Sequence, residues 1–209
     1  MEQAELRQLI QEVVKKYLDA LYVPVGVSNR HIHVTREDLD ILYGKGYELK
    51  KMKDLKQPGE FAAEETLEVK TPKGSFKKVR ILGPLRKATQ VELSLSDGFT
   101  LGVAIPIRES GKIENSGSVT LVGPKGEVTL PVGAIAAHRH IHMPPEVAEK
   151  YGLKNGDLVD VEKEGSRGLT FKDVLLRVSD KYALEMHLDL DEANAGNIRS
   201  GDLLKVIKH

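Results

Sequence analysis

The chain has no cysteine and no tryptophan, and only 6 tyrosines and 4 phenylalanines among its 209 residues. Lack of a thiol excludes disulfides, a cysteine nucleophile and thiolate metal ligands, so any transition-metal site must be built from His, Asp and Glu. Net charge is missing too, since 31 Lys and Arg balance 31 Asp and Glu. Without a basic excess there is no electrostatic footprint for a nucleic-acid backbone, although local cationic clusters still suit a small anion. No apolar run approaches the roughly 20 residues needed to span a bilayer, and the N-terminus lacks the layout of a secretory signal. These absences predict a soluble, cytoplasmic protein that binds neither nucleic acid nor membrane.

What is present falls into two textures. From Glu2 to Leu21, the residues Leu6, Leu9, Ile10, Val13, Val14, Tyr17, Leu18 and Leu21 recur at steps of three and four, the period of an amphipathic helix that packs on its own domain or docks on a partner. Beyond Pro24 come short β-rich runs separated by Gly-bearing turns such as Lys73-Gly74, Asp97-Gly98, Lys125-Gly126 and Asn155-Gly156. This punctuation predicts a mainly β protein of barrels or sandwiches rather than a parallel α/β sheet. Two short helices interrupt it, Thr35 to Tyr43 and Pro144 to Tyr151. Thr35 with Asp38 has the form of an N-cap box, and Pro144-Pro145 suits a helix first turn.

Those helices expose an internal repeat. Ser28-Asn29-Arg30-His31-Ile32-His33-Val34, a short helix and a Tyr-Gly segment are echoed at an offset of 109 residues by Ala137-His138-Arg139-His140-Ile141-His142-Met143 and Tyr151-Gly152. More weakly, Val91 to Asp97 lies over Met186 to Glu192, matching Glu92 with His187. The repeat predicts an N-terminal helix (1–21) and two β units (22–131 and 132–209), with one His-x-His pair in each unit.

On a strand, residues i and i+2 share a face about 7 Å apart, a span that two imidazoles can close onto one ion. His31 with His33, and His140 with His142, then point one way while Ile32 and Ile141 point into a core. Three readings follow: hydrogen-bonded histidines at a domain interface, one closed four-imidazole staple, or two open sites of three ligands completed by Glu92 and His187. The segment Lys77 to Lys87 carries five cations in eleven residues. It is a solvated strand face unless it borders the metal pocket, where Arg86, after the Gly83-Pro84 turn, can grip phosphate with paired donors. His138 and His209 are not expected to be ligands.

Ser28 to Val34, Gly83 to Arg86, Gln90 to Gly98, Ala137 to Met143 and Met186 to Asn194 together resemble the phosphate propanoyltransferases, the PduL-type phosphotransacylases, in order from about Val23 to Lys208. The resemblance implies two β-barrel domains with short helices, two zinc ions per chain in the cleft between them, and coenzyme A bound as substrate beside the metals. By position it implies one zinc on His31, His33 and Glu92, a second on His140, His142 and His187, phosphate on Arg86, and coenzyme A contacts at Ser28, Lys53, Arg80 and Asn194. The implied reaction interconverts an acyl-CoA (propanoyl-CoA or acetyl-CoA) and phosphate with an acyl phosphate and CoA. Family resemblance also implies a homo-oligomer, and a place inside a bacterial microcompartment if the N-terminal helix docks on a shell protein. The same ligands would also serve a two-metal hydrolase, which needs no coenzyme site, or a non-catalytic zinc-stapled binding module.

Overall fold

Short segments alternating with a period of two dominate the structure, a computed structural model that describes residues 3, 5–8, 10, 11 and 20–208. In Gly117–Val122, for example, Val119 and Leu121 point into a core while Ser118 and Thr120 do not, as a strand with one wet face requires. In chain order the first half holds β1 (Tyr22–Val27), β2 (His31–His33), α1 (Arg36–Tyr43), β3 (Lys51–Asp54), β4 (Phe61–Lys70), β5 (Ser75–Gly83), β6 (Gln90–Glu92), α2 (Leu95–Leu101), β7 (Ile107–Arg108) and β8 (Gly117–Val122). The second holds β9 (Glu127–Ala137), β10 (His140–Met143), α3 (Pro145–Tyr151), β11 (Leu158–Lys163), β12 (Leu169–Val178), β13 (Glu185–Leu188), α4 (Leu190–Ala195) and β14 (Leu203–Ile207). The expected helix from Glu2 to Leu21 falls mostly on residues outside those described.

These strands close into two barrels, so the mainly β, two-barrel expectation holds. One runs β8-β4-β5-β2-β6-β9 and returns to β8, with β3 added beside β4 and β7 beside β9. The other runs β1-β13-β10-β12-β11-β14 and returns to β1. Closure leaves few unpaired edges, and each barrel surrounds its own core.

The two rings are built to one plan. β2 pairs parallel with β5 and antiparallel with β6, as β10 does with β12 and β13. Arg80 and Leu175 are the register partners of His31 and His140. Even the bulges correspond: Lys78 and Asp173, 95 positions apart, have φ values of 58° and 55°, a left-handed conformation that costs a side-chain-bearing residue energy unless a bulge demands it.

Pairing departs from a division into 22–131 and 132–209 at both borders. β1 pairs with β13 and β14 in the second barrel, whereas β9 runs through Ala137 and pairs with β6 and β8 in the first. Each repeat thus lends its first strand to the other repeat's barrel. The exchange has a physical reason: β1 and β9 directly precede the two His-x-His strands at equivalent positions, and each buries its apolar face in the opposite core. Val23 and Val25 are 0% and 2% exposed in the second core, and Ala134 and Ala136 lie in the first.

Local signals behave as the residues predict. Thr35 Oγ1 accepts from Asp38 N at 3.1 Å at the start of α1, while the Asp38 carboxylate takes a hydrogen bond from Thr89 instead of closing a reciprocal box. Pro144 is the N-cap of α3 and Pro145 its first residue. α4 begins with a full capping box, Asp189 with Glu192, and at the equivalent place in α2 Ser94 N donates to Asp97 Oδ2 at 3.1 Å. The barrels touch where these helices start: Ser96 N and Oγ donate to the Asp191 carboxylate at 2.8 and 2.6 Å, and Ser96 and Asp191 are themselves counterparts. Among the described residues no helix is long and apolar enough to cross a membrane.

The strand exchange predicts that a fragment of residues 138–209, which lacks β1, shows no cooperative unfolding by circular dichroism. In the full chain, Val23→Asp buries an unpaired carboxyl and should cost about 3 kcal/mol or more in chemical denaturation. A cooperative melt of the fragment would contradict the exchange.

Candidate metal centre

Each His-x-His pair lies on a strand, with Ile32 and Ile141 between the imidazoles at 0% exposure in their cores. The strand geometry expected from the sequence is therefore present, and both pairs face one cleft of about 840 Å³, within the roughly 300–1,000 Å³ common for ligand sites.

The neighbouring antiparallel strands bring up the third member of each set. Glu92 is the register partner of His31, and His187 that of His140. Glu92 Oε2 lies 3.4 Å from His31 Nε2 and its Oε1 lies 3.8 Å from His33 Nε2. Among the described residues, His31, His33 and Glu92 are the one group of three whose ligand atoms all lie within 4.8 Å of one another. In the second set the ring centres of His140, His142 and His187 are 4.7 to 5.0 Å apart. Their nitrogens converge less closely, because His187 Nε2 is turned to Glu185 Oε2 at 3.0 Å.

Backbone carbonyls settle which ring nitrogen faces the cleft. His31 Nδ1 lies 2.8 Å from Asn29 O, His33 Nδ1 3.3 Å from Leu82 O, and His140 Nδ1 2.8 Å from His138 O. A carbonyl only accepts, so each Nδ1 carries a proton and in the neutral ring each Nε2 keeps its lone pair, the arrangement in which imidazole ligates a metal. His142 is buried with neither ring nitrogen hydrogen-bonded, a costly state for an imidazole unless a further ligand takes it up. Its ring stacks on Tyr182 at 4.1 Å. These donors fit divalent ions such as zinc.

Charge follows the same logic. Burial alone would raise the Glu92 carboxyl, but His31 and His33 beside it hold it well below the usual carboxylate range. Burial pushes His33 down to about 3, with His31 and Arg86 adding to the shift. Burial together with neighbouring imidazoles takes His140 to about 4 and His142 to about 2. For His31, burial acts downward but the Glu92 carboxylate reverses it, and its pKa is raised.

The other sequence candidates distribute as follows. Arg86 lines the cleft, donating to Ser110 Oγ at 2.9 Å and to Glu60 Oε1 at 3.2 Å. Ser28, Lys53 and Arg80 also line it; Arg80 Nη1 donates to the carbonyls of Ala63 and Glu64. Asn194 is exposed on α4 and does not line the cleft. Sequence reasoning missed a supporting layer. Gln90 Nε2 and Ser110 Oγ donate to Glu92 Oε1 at 2.6 and 2.8 Å, and Glu185 orients His187. Gln90 and Glu185 each stand two residues before a third ligand, on the same face of the strand, so the repeat alignment carried one more step would have found them. Gly26 serves the same layer, since a Cβ there would sit 2.8 Å from Glu185 Oε1.

Two pseudo-equivalent histidine clusters, one completed by a carboxylate, open on a shared cleft between exchanged-strand barrels, and the His31, His33 and Glu92 group has the spacing to hold a metal ion. A family model for phosphate propanoyltransferase matches residues 24–199. Proteins of that name from Rhodopseudomonas palustris (53% identical, covering 91% of this chain and 84% of the relative), Thermotoga maritima (51%, 88% and 88%) and Levilactobacillus brevis (44%, 100% and 100%) are similar to it. The chain belongs to the phosphate propanoyltransferase family, and its class is that of the phosphate acyltransferases.

The low histidine pKa values set a pH dependence for the metal-free protein. His33, His140 and His142 stay neutral when folded but protonate near 6.5 when unfolded, so between about 6.5 and their folded values the unfolded chain binds more protons and acid favours it. Raised His31 acts only above 6.5, where its stabilisation is lost as pH rises, and depressed Glu92 acts only below about 4.5. Metal-free protein should therefore lose on the order of 10 °C of Tm between pH 6.5 and 5. His142→Phe should flatten that slope, whereas an unchanged slope would contradict the assignment.

Proposed function

We propose that this protein transfers an acetyl or propanoyl group between coenzyme A and inorganic phosphate with two zinc ions, one held by His31, His33 and Glu92 and the other by His140, His142 and His187. The observation that carries this reading is the pair of His-x-His strands, backbone-anchored through Nδ1 at His31, His33 and His140, on the walls of one cleft that also contains Arg86. Zinc bound there supplies Lewis acidity for a thioester carbonyl and affinity for a departing thiolate, which replaces the cysteine the chain lacks.

The remaining work belongs to the side chains. Asn29, Leu82 and His138 hold three imidazoles in one tautomer through their carbonyls, and Gln90 and Ser110 fix the Glu92 carboxylate. Arg86 offers a planar fork of donors matched to phosphate oxygens. In this structure the fork is taken by Ser110 and Glu60, and in the Arg86–Glu60 ion pair both side chains are 32% exposed. Such an ion pair is worth only about 0–1 kcal/mol, so a phosphate dianion displaces Glu60 readily. Ser28, Lys53 and Arg80 along the same cleft, and Asn194 outside it, are assigned to coenzyme A. Holding thioester and phosphate together supplies rate through orientation, and no acyl group on a side chain is needed.

The purified protein should release thiol from acetyl-CoA and propanoyl-CoA only with phosphate present, contain close to two zinc ions per chain, and lose activity on chelation. Active protein without bound metal would remove the reading. Arg86→Ala should keep both zinc ions while the KM for phosphate rises about tenfold or more, and Arg86→Lys should recover part of the loss, having the charge without the fork. Unchanged phosphate dependence in Arg86→Ala would refute its role.

A further inference from the structure

The two halves of the cleft share one backbone plan, so their differences show what each half is specialised to hold. Carrying the 95-residue offset along β5 and β12 places Arg177 where the first repeat has Leu82, and both line the cleft. Arg177 is the parallel register partner of His142, and its guanidinium carbon is 5.8 Å from the centre of the Tyr182 ring that stacks on His142. The other arginines lining the cleft are committed: Arg30 to Asp97, Arg80 to the carbonyls of Ala63 and Glu64, and Arg86 to Glu60 and Ser110. Among the described residues the Arg177 side chain has no hydrogen bond or ion pair. Glu109, whose carboxylate feels the Arg177 charge, is itself hydrogen-bonded to Lys112.

We propose that Arg177 is a second phosphate-binding residue, which with Arg86 grips the phosphate, or the phosphoryl end of the acyl phosphate, beside His142. The inference rests on the phosphotransacylase reading. An unpaired guanidinium in a cleft is a donor fork awaiting an oxyanion, and the charges of both Arg86 and Arg177 bear on His142. Two forks supply enough donors to hold a tetrahedral dianion from two sides and fix which oxygen faces the acyl carbon. Leu82 at the equivalent place leaves the first centre without a guanidinium there, an environment suited to a thiolate sulfur rather than to phosphate oxygens.

The test compares Arg177→Leu, which copies the first repeat, with Arg177→Lys in the zinc-loaded enzyme. The readouts are the KM values for phosphate and acyl-CoA, metal content, and the rise in Tm produced by inorganic phosphate alone. Arg177→Leu should keep both metals, raise the phosphate KM about tenfold or more, change the acyl-CoA KM less than about twofold, and lose the phosphate-induced rise in Tm. Arg177→Lys should fall between it and the wild type. An unchanged phosphate KM, an equal rise in the acyl-CoA KM, or loss of metal in both variants would overturn the proposal. Wild-type protein without phosphate-dependent thiol release would instead sink the underlying reading, and active wild type with an Arg86→Ala defect but a normal Arg177→Leu would sink this inference alone.

Discussion

Everything in the cleft depends on the exchange of first strands between the two repeats. β1 and β9 each leave a barrel through a short connection into the His-x-His strand of the next, so the two histidine strands are tethered at equivalent points of two interlocked rings. Were each repeat to keep its own first strand, the barrels would be joined by a linker and an interface of modest area, and relative motion would be the expectation. With the exchange, separating the barrels means pulling Val23 and Val25 from one core or Ala134 and Ala136 from the other. Apolar burial holds a site whose own members, buried imidazoles and a buried carboxylate, are individually unfavourable to bury.

Symmetry of the backbone makes the asymmetry of the side chains informative. Glu92 faces His187 in the alignment, and two residues earlier Gln90 faces Glu185. Each cluster therefore has one carboxylate, among the three converging side chains in the first and hydrogen-bonded behind His187 in the second. On the proposed reading the second, with three imidazoles and Arg177, is the better place for oxygen anions, and Arg86 bears on both clusters. On the same reading the first, with the Glu92 carboxylate and Leu82, is poorer for a further hard anion and better for a soft, polarisable one.

Much of this was legible in the residues because it depends on local rules. Alternation along short runs, Gly-bearing turns, the Thr35 cap and the paired prolines at α3 all express interactions within a few positions. The His-x-His pairs were legible because the period of a strand is two, and Glu92 and His187 because the repeat put them in register. The strand exchange was not: Tyr22 to Val27 alternates in the same way whichever barrel it joins, and only long-range pairing decides. Arg177 was hidden for a related reason, since its importance appears only when Leu82 is seen to occupy the same place.

The first repeat also carries a segment that the second lacks. The offset between repeats falls from 109 at Arg36 and Pro145 to 92 at Leu67 and Val159, a difference of 17 residues that contains β3 and the turn after it. That segment performs three tasks at once. Gln57, 4% exposed, donates to Glu185 Oε2 at 3.2 Å and to Ala183 O at 3.1 Å while accepting from Ala183 N, so it clamps the second barrel and steadies the carboxylate behind His187. Glu60 holds Arg86, and Lys53 lines the cleft. By reaching from the first barrel to the second centre, the inserted segment walls one side of the cleft and gives the site a direction, which a reaction with two unlike substrates needs.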